Sequence, residues 1–153
     1  MSYDYPEIIV SITADLESIK GRTLTRLLVN AVNHEFNVLY LKFEADWFAV
    51  SPYIGGEILA FQKCEAPSEG KADDRSTRTL PFPQFGIFEN RKVATTRHIG
   101  EAWNGHGFEF TFADLFDKTL IVQSIYTGGE PKDFFDCLRL GIGTYFYDAT
   151  TFN

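Results

Sequence analysis

Between Leu24 and Gly56 the apolar residues change their spacing, and a chain that does this must change secondary structure partway along. Leu24, Leu27, Leu28, Ala31 and Val32 fall at i, i+3, i+4, i+7 and i+8, the single stripe of an amphipathic helix with a period of about 3.6. Arg22, Arg26, Asn30 and Asn33 lie off the stripe, and Thr23 is placed to cap it. From Asn37 the period drops to about 2, with Leu39, Leu41 and Phe43 on one side and Val38, Tyr40, Lys42 and Glu44 on the other. Glu44-Ala45-Asp46 reads as a turn and residues 47–51 as the returning strand of a hairpin. Pro52 and Gly55-Gly56 punctuate its exit.

The same reading extends over the rest of the chain. Ile8, Val10 and Ile12 alternate in residues 7–13, which predicts a strand, although Ile9 interrupts the alternation and leaves a helical start open. Leu16 and Ile19 form a short helical turn ending near Gly21. Residues 57–64 are a third strand, and residues 65–79, rich in Gly, Ser, Pro and Asp, are a flexible loop. Residues 92–99, 108–112 and 119–126 are further strands, with Asn104-Gly105 as a hairpin signal. Pro131 opens a last helix, with Phe134, Phe135 and Leu138 on its inner face and Gly141 at its end. The predicted fold is therefore α+β: residues 1–153 as one two-layer domain, a mainly antiparallel sheet packed against two principal helices, 23–35 and 131–140.

Charge narrows the function. Fourteen Lys and Arg against 21 Asp and Glu leave a net charge of −7, the wrong sign for a nucleic-acid binder. Cys64 and Cys137 are too few and too far apart for a disulfide framework and read as free thiols. No signal peptide and no apolar run of membrane-spanning length is visible, so a cytoplasmic protein without membrane insertion is expected.

The chemical side chains are dispersed. His34, His98 and His106 have no ligand spacing, and no C-x-x-C is present, so no metal site is predicted. Cys64 has no local cationic group apart from Lys63, Cys137 reads as a small half-buried hydrophobe on the last helix, and no G-x-S-x-G elbow exists. Asp114 with Asp117, and Asp133 with Asp136, read as the wet edges of amphipathic segments. Gly128-Gly129 and Gly141/Gly143 lack the rest of a phosphate-binding loop, so no cofactor is predicted. The candidate partner-binding residues are the aromatics Trp47, Tyr53 and Trp103 and the acids Asp73 and Asp74 of the 65–79 loop. No catalytic residue is assigned.

Residues 31–58 resemble the N-terminal region of the secretion and pilus-assembly ATPases of type II secretion and type IV pili. Leu27-Leu28-Val29-Asn30-Ala31-Val32 is similar to the end of that family's amphipathic helix. Asn37-Val38-Leu39-Tyr40-Leu41-Lys42 stands where the family has S-D-I-H-F-E, and residues 48–56 stand where it has V-R-V-R-Y-R-I-D-G. Pro83-Gln84-Phe85-Gly86 is similar to its P-Q-D-G. Val38, Tyr40, Lys42, Ala49, Ser51 and Tyr53 replace the family's charged residues, and the ATPase domain has no counterpart here. The resemblance implies an α+β sheet-and-helix module with a docking role, and it does not imply ATP hydrolysis.

The expected function is thus a non-enzymatic protein-interaction module with a protein partner. The first alternative is an acidic inhibitor or immunity protein that neutralises a basic partner such as a nuclease. The second is a small hydrolase using His98 or His106 with a carboxylate.

Overall fold

Thr23–Val32 is a strand, not a helix, and this one correction changes the fold class. The computed structural model describes residues 4–32, 35–71, 78–102, 104–125 and 138–147. It contains strands β1 (Thr23–Val32), β2 (Glu35–Phe43), β3 (Asp46–Tyr53), β4 (Ile58–Cys64), β5 (Gly70–Lys71) and β6 (Arg78–Leu80). These are followed by β7 (Arg91–Glu101), β8 (Asn104–Phe112), β9 (Leu115–Ser124), β10 (Leu138–Ile142) and β11 (Tyr145–Tyr147). Among the described residues the one α-helix is α1, Tyr5–Ile12, joined by two 3₁₀ segments, Leu16–Ile19 and Pro83–Phe88.

β1 pairs with both β2 and β7, and the path β2-β10-β9-β8-β7-β1 returns to its start, so six antiparallel strands close a barrel. β3 and β4 continue the sheet beyond β2, β6 and β5 beyond β1, and β11 pairs with β10. The expected two-layer α+β arrangement is therefore overturned: the second face of the core is more sheet, not helices.

The apparent helical stripe in β1 has a specific cause. Leu24 opposes Phe43 and Leu27 opposes Leu41, yet only Lys42 lies between those partners. β1 thus carries one extra residue, a bulge at Thr25, which lets Leu24 and Leu27 share a face at a spacing of three. Leu24, Leu27, Val29 and Ala31 belong to the core, opposite Leu39, Leu41 and Phe43. Leu28 is buried as well, so residues 27–29 are an unbroken buried run. Burial on both faces plus a bulge reproduces i, i+3, i+4 without a helix.

Of the second predicted helix, 131–140, the described residues 138–140 are strand. Leu138–Ile142 is β10, registered against β9 from Leu138↔Ser124 to Ile142↔Leu120. Residues 131–137 lie outside the described part. Residues 7–13 are corrected in the other direction: they belong to α1. Asp4 caps it by accepting the Glu7 N–H at 3.2 Å, Pro6 sits in its first turn, and Glu7 places an acid at its positive end. Its inner face is the buried Ile12 with the half-buried Tyr5, Ile8 and Ile9, which pack on Ile58 and Ala60 of β4, while Val10 is 70% exposed. Part of the 65–79 loop is ordered as β5 and β6; its residues 72–77 are outside the described part. The strands expected at 37–44, 47–51, 57–64, 92–99, 108–112 and 119–126 are present as β2, β3, β4, β7, β8 and β9. Among the described residues no helix is long and apolar enough to cross a membrane.

Phenylalanine fills the barrel in two linked groups. Phe61 of β4 stacks on Phe48 at 5.2 Å and lies 6.2 and 6.1 Å from Phe108 and Phe110 of β8. Phe85, from the 3₁₀ segment Pro83–Phe88, is 5.0 Å from Phe82, 6.1 Å from Phe88 and 5.5 Å from Tyr147. The first group pulls β4 across toward β8 and β9, which positions the site described below.

One close approach holds β8 against β9. A Cβ on Gly107 would lie 2.0 Å from the Val122 carbonyl oxygen and 2.7 Å from Gln123 Cα, both backbone atoms that cannot swing away. Gly107→Ala is expected to destabilise by at least about 1–3 kcal/mol. Gly86→Ala, where no atom lies within 4 Å of the added carbon, serves as the neutral control. Urea midpoints of the two variants check this; equal midpoints would count against the register.

Candidate functional site

α1 and the β7–β8 hairpin enclose a cleft of about 520 Å³, lined by Tyr5, Pro6, Ile9, His98, Gly100, Glu101, Ala102 and His106. The volume lies within the usual range of small-molecule sites. α1 contributes the apolar wall and an aromatic ring. The hairpin contributes the polar groups, on strands whose register places His98 opposite Phe108 and brings His106 one turn of the pleat away. At the hairpin end Glu101 opposes both Asn104 and Gly105, a bulge that takes the Asn-Gly pair out of the turn and into β8.

The imidazoles form the floor and rim. His106 is 2% exposed and tilts against Phe108. Its Nδ1 accepts the backbone N–H of Leu59 on β4 at 2.9 Å. A ring nitrogen that accepts cannot carry the ring proton, so the neutral His106 holds its hydrogen on Nε2. That hydrogen points to His98 Nδ1, 3.3 Å away. His98 then carries its own hydrogen on Nε2, and the file Leu59 N–H, His106, His98 runs in one direction toward the solvent. Burial drives the His106 pKa down to about 4, with the neighbouring His98 adding to the effect. Burial also lowers His98, partly offset by Glu17.

A separation of 3.3 Å between the two nitrogens is also what one tetrahedral ion would need, since two ligands about 2.0–2.1 Å from zinc lie roughly 3.3 Å apart. The tautomer argues against it: His106 Nε2 has a proton where a metal needs a lone pair. Among the described residues no group of three or more His, Cys, Asp and Glu is arranged to hold a metal ion.

Two further contacts tie the N-terminal segment to β4 and the turn before it. The Tyr5 hydroxyl donates to Glu57 in the β3–β4 turn, fixing the ring as a wall. Lys63 N–H donates to Asp15 at 3.2 Å, so two N–H groups of β4, those of Leu59 and Lys63, are taken up by side chains rather than by another strand.

The sequence-predicted residues are distributed differently. His98 and His106 converge, with Glu101 in the same cleft. Trp47 and Tyr53 occupy opposite ends of β3, about 20 Å apart for six residues of strand, with Lys42 over the Trp47 ring and Tyr53 43% exposed. Trp103, Asp73, Asp74, His34, Asp133, Asp136 and Cys137 lie outside the described residues. Asp114 is in the β8–β9 turn at φ +65° and Asp117 is on β9, so that pair has hairpin rather than helical geometry. Cys64 is a half-buried free thiol whose pKa burial pushes up, the opposite of an activated nucleophile. Tyr5 and Leu59 were missed. The Asp4-Tyr5-Pro6-Glu7 capping pattern was the available signal for Tyr5, and nothing in sequence marks a backbone N–H such as that of Leu59. No protein-family model, no curated protein and no solved structure matches the chain.

Proposed function

We propose that the protein is a non-enzymatic binding domain that takes a small ligand into the cleft between α1 and the β7–β8 hairpin. The observation that carries this reading is the one-directional imidazole file at the base of an otherwise mostly apolar cleft. It supplies a single oriented donor, His98 Nε2–H, among apolar walls, which is the composition of a recognition site. It supplies a poor base, because the acceptor position of each ring is already used. Among the described residues that line the cleft, none is a Ser, Thr or Cys that could serve as a nucleophile. A cytoplasmic setting is part of the proposal and is consistent with the free thiol of Cys64.

A fragment screen followed by protein NMR tests it. Fragments that bind are expected to shift the His98 and His106 ring signals and the Ala102 amide, and His98→Ala is expected to weaken them roughly tenfold, the value of one oriented hydrogen bond. Hits that gather elsewhere on the barrel, or ester hydrolysis that disappears with His98→Ala, would refute the reading. Capture of a protein partner is a second reading, supported by Val10, which leaves 70% of its surface exposed on the helix that walls the cleft. Val10→Asp would abolish such capture and leave fragment binding intact.

A further inference from the structure

We propose that the cleft selects a ligand with a positively charged amine head, a hydrogen-bond acceptor beside it and an apolar body; this deepens the binding reading above and rests on it. The charge inventory carries the argument. Among the described residues that line the cleft, Glu101 is the one carboxylate and none is Lys or Arg. A second carboxylate, Glu57, lies directly behind the wall as the acceptor of the Tyr5 hydroxyl. Glu17 acts on His98 from the 3₁₀ segment Leu16–Ile19, though its charge is shared with Lys20 at 2.5 Å. Arg97, next to His98 in sequence, alternates to the other face of β7 and pairs with Glu109 at 2.6 Å. The two imidazoles are neutral at neutral pH and supply no balancing cation.

An anion entering this cleft therefore meets carboxylates without a counter-charge from the described lining, and a cation meets Glu101. The net charge of −7 raises the local concentration of cations before any contact forms. His98 Nε2–H is a donor that a ligand hydroxyl or carbonyl near the ammonium group can use in place of water. Tyr5, Pro6, Ile9 and Ala102 take the apolar part.

Three probes that share one ring and one hydroxyl separate these contributions: 2-amino-1-phenylethanol (cationic), 1-phenylethanol (neutral) and mandelate (anionic). Titration of the intact protein is followed through the His98 and His106 ring signals. The amine is expected to saturate them at roughly tenfold lower concentration than the neutral probe, with mandelate weakest, for one charge contact in a partly wet site. Glu101→Gln is expected to bring the amine to the level of 1-phenylethanol, with the fold confirmed by its unchanged backbone spectrum. Mandelate binding as tightly as the amine, or an amine affinity indifferent to Glu101→Gln, overturns the charge selection while leaving the cleft as a binding site. Failure of all three probes to move the cleft signals at millimolar concentration removes both claims.

Discussion

Phe61→Ala lowers the stability of the barrel by about 3–5 kcal/mol, the range for deleting a fully buried ring from a packed core. Phe61 has no exposed surface and touches three rings on two strands, Phe48 on β3 and Phe108 and Phe110 on β8. It therefore packs β4 across onto β8, beside the β2–β3 pairing that joins the extension to the barrel. A domain of this size has a total stability of about 5–15 kcal/mol, so the loss brings the variant close to unfolding at room temperature. The cavity has little chance to collapse, because its walls are themselves aromatic and held by strand register. Phe116, 92% exposed on β9, is the matched control, and its replacement by alanine is expected to change stability by less than about 0.5 kcal/mol. Urea unfolding of both variants with an unchanged slope measures the difference. A loss below about 1.5 kcal/mol for Phe61→Ala would mean that β4 does not cross toward β8 as described.

The contrast between Phe61 and the sequence that contains it explains what could be read in advance. Period-2 alternation was legible wherever one face of a strand is wet, as in β2, where Val38, Tyr40 and Lys42 are half-buried against the buried Leu39, Leu41 and Phe43. It was illegible where both faces are covered or a bulge shifts the phase, and β1 has both properties. Barrel closure was invisible because it depends on the β1–β7 and β2–β10 pairings, which link residues far apart in the chain. In α1 the error ran the other way. Ile8, Val10 and Ile12 alternate, but Asp4, Pro6 and Glu7 mark a helix start, and capping chemistry outweighs three alternating residues in so short a segment. The site was half legible. The histidines were visible as types, whereas their meeting requires strand register, and the group that orients them is a backbone N–H with no sequence signature.

That orientation leads to the second large effect, acid sensitivity centred on His106. An unfolded imidazole takes up its proton near 6.5, whereas His106 in the fold resists protonation until about 4. Above 6.5 neither state binds this proton and the full stability is present. As the pH falls from 6.5 toward 4, the unfolded state binds more protons than the folded one, so stability declines throughout that window and levels off below it. The gap from 6.5 to about 4 amounts to about 3 kcal/mol. The structural reason is a lost hydrogen bond as well as burial. A protonated His106 would present Nδ1–H to the Leu59 N–H and Nε2–H to His98, donor against donor on the first side, in a site that is 2% exposed. His106→Gln keeps an acceptor for Leu59 and a donor for His98 but cannot titrate. Its expected profile is a modest loss at neutral pH and a much flatter decline between 6.5 and 4 than the parent. Some slope survives, because His98 is lowered in the same direction and Asp46, held down by Arg22, adds its own loss at lower pH. Urea midpoints at several pH values for the two proteins decide the matter. Parallel curves would show that His106 is not the group being protonated, and would remove the fixed tautomer on which the reading of the cleft depends.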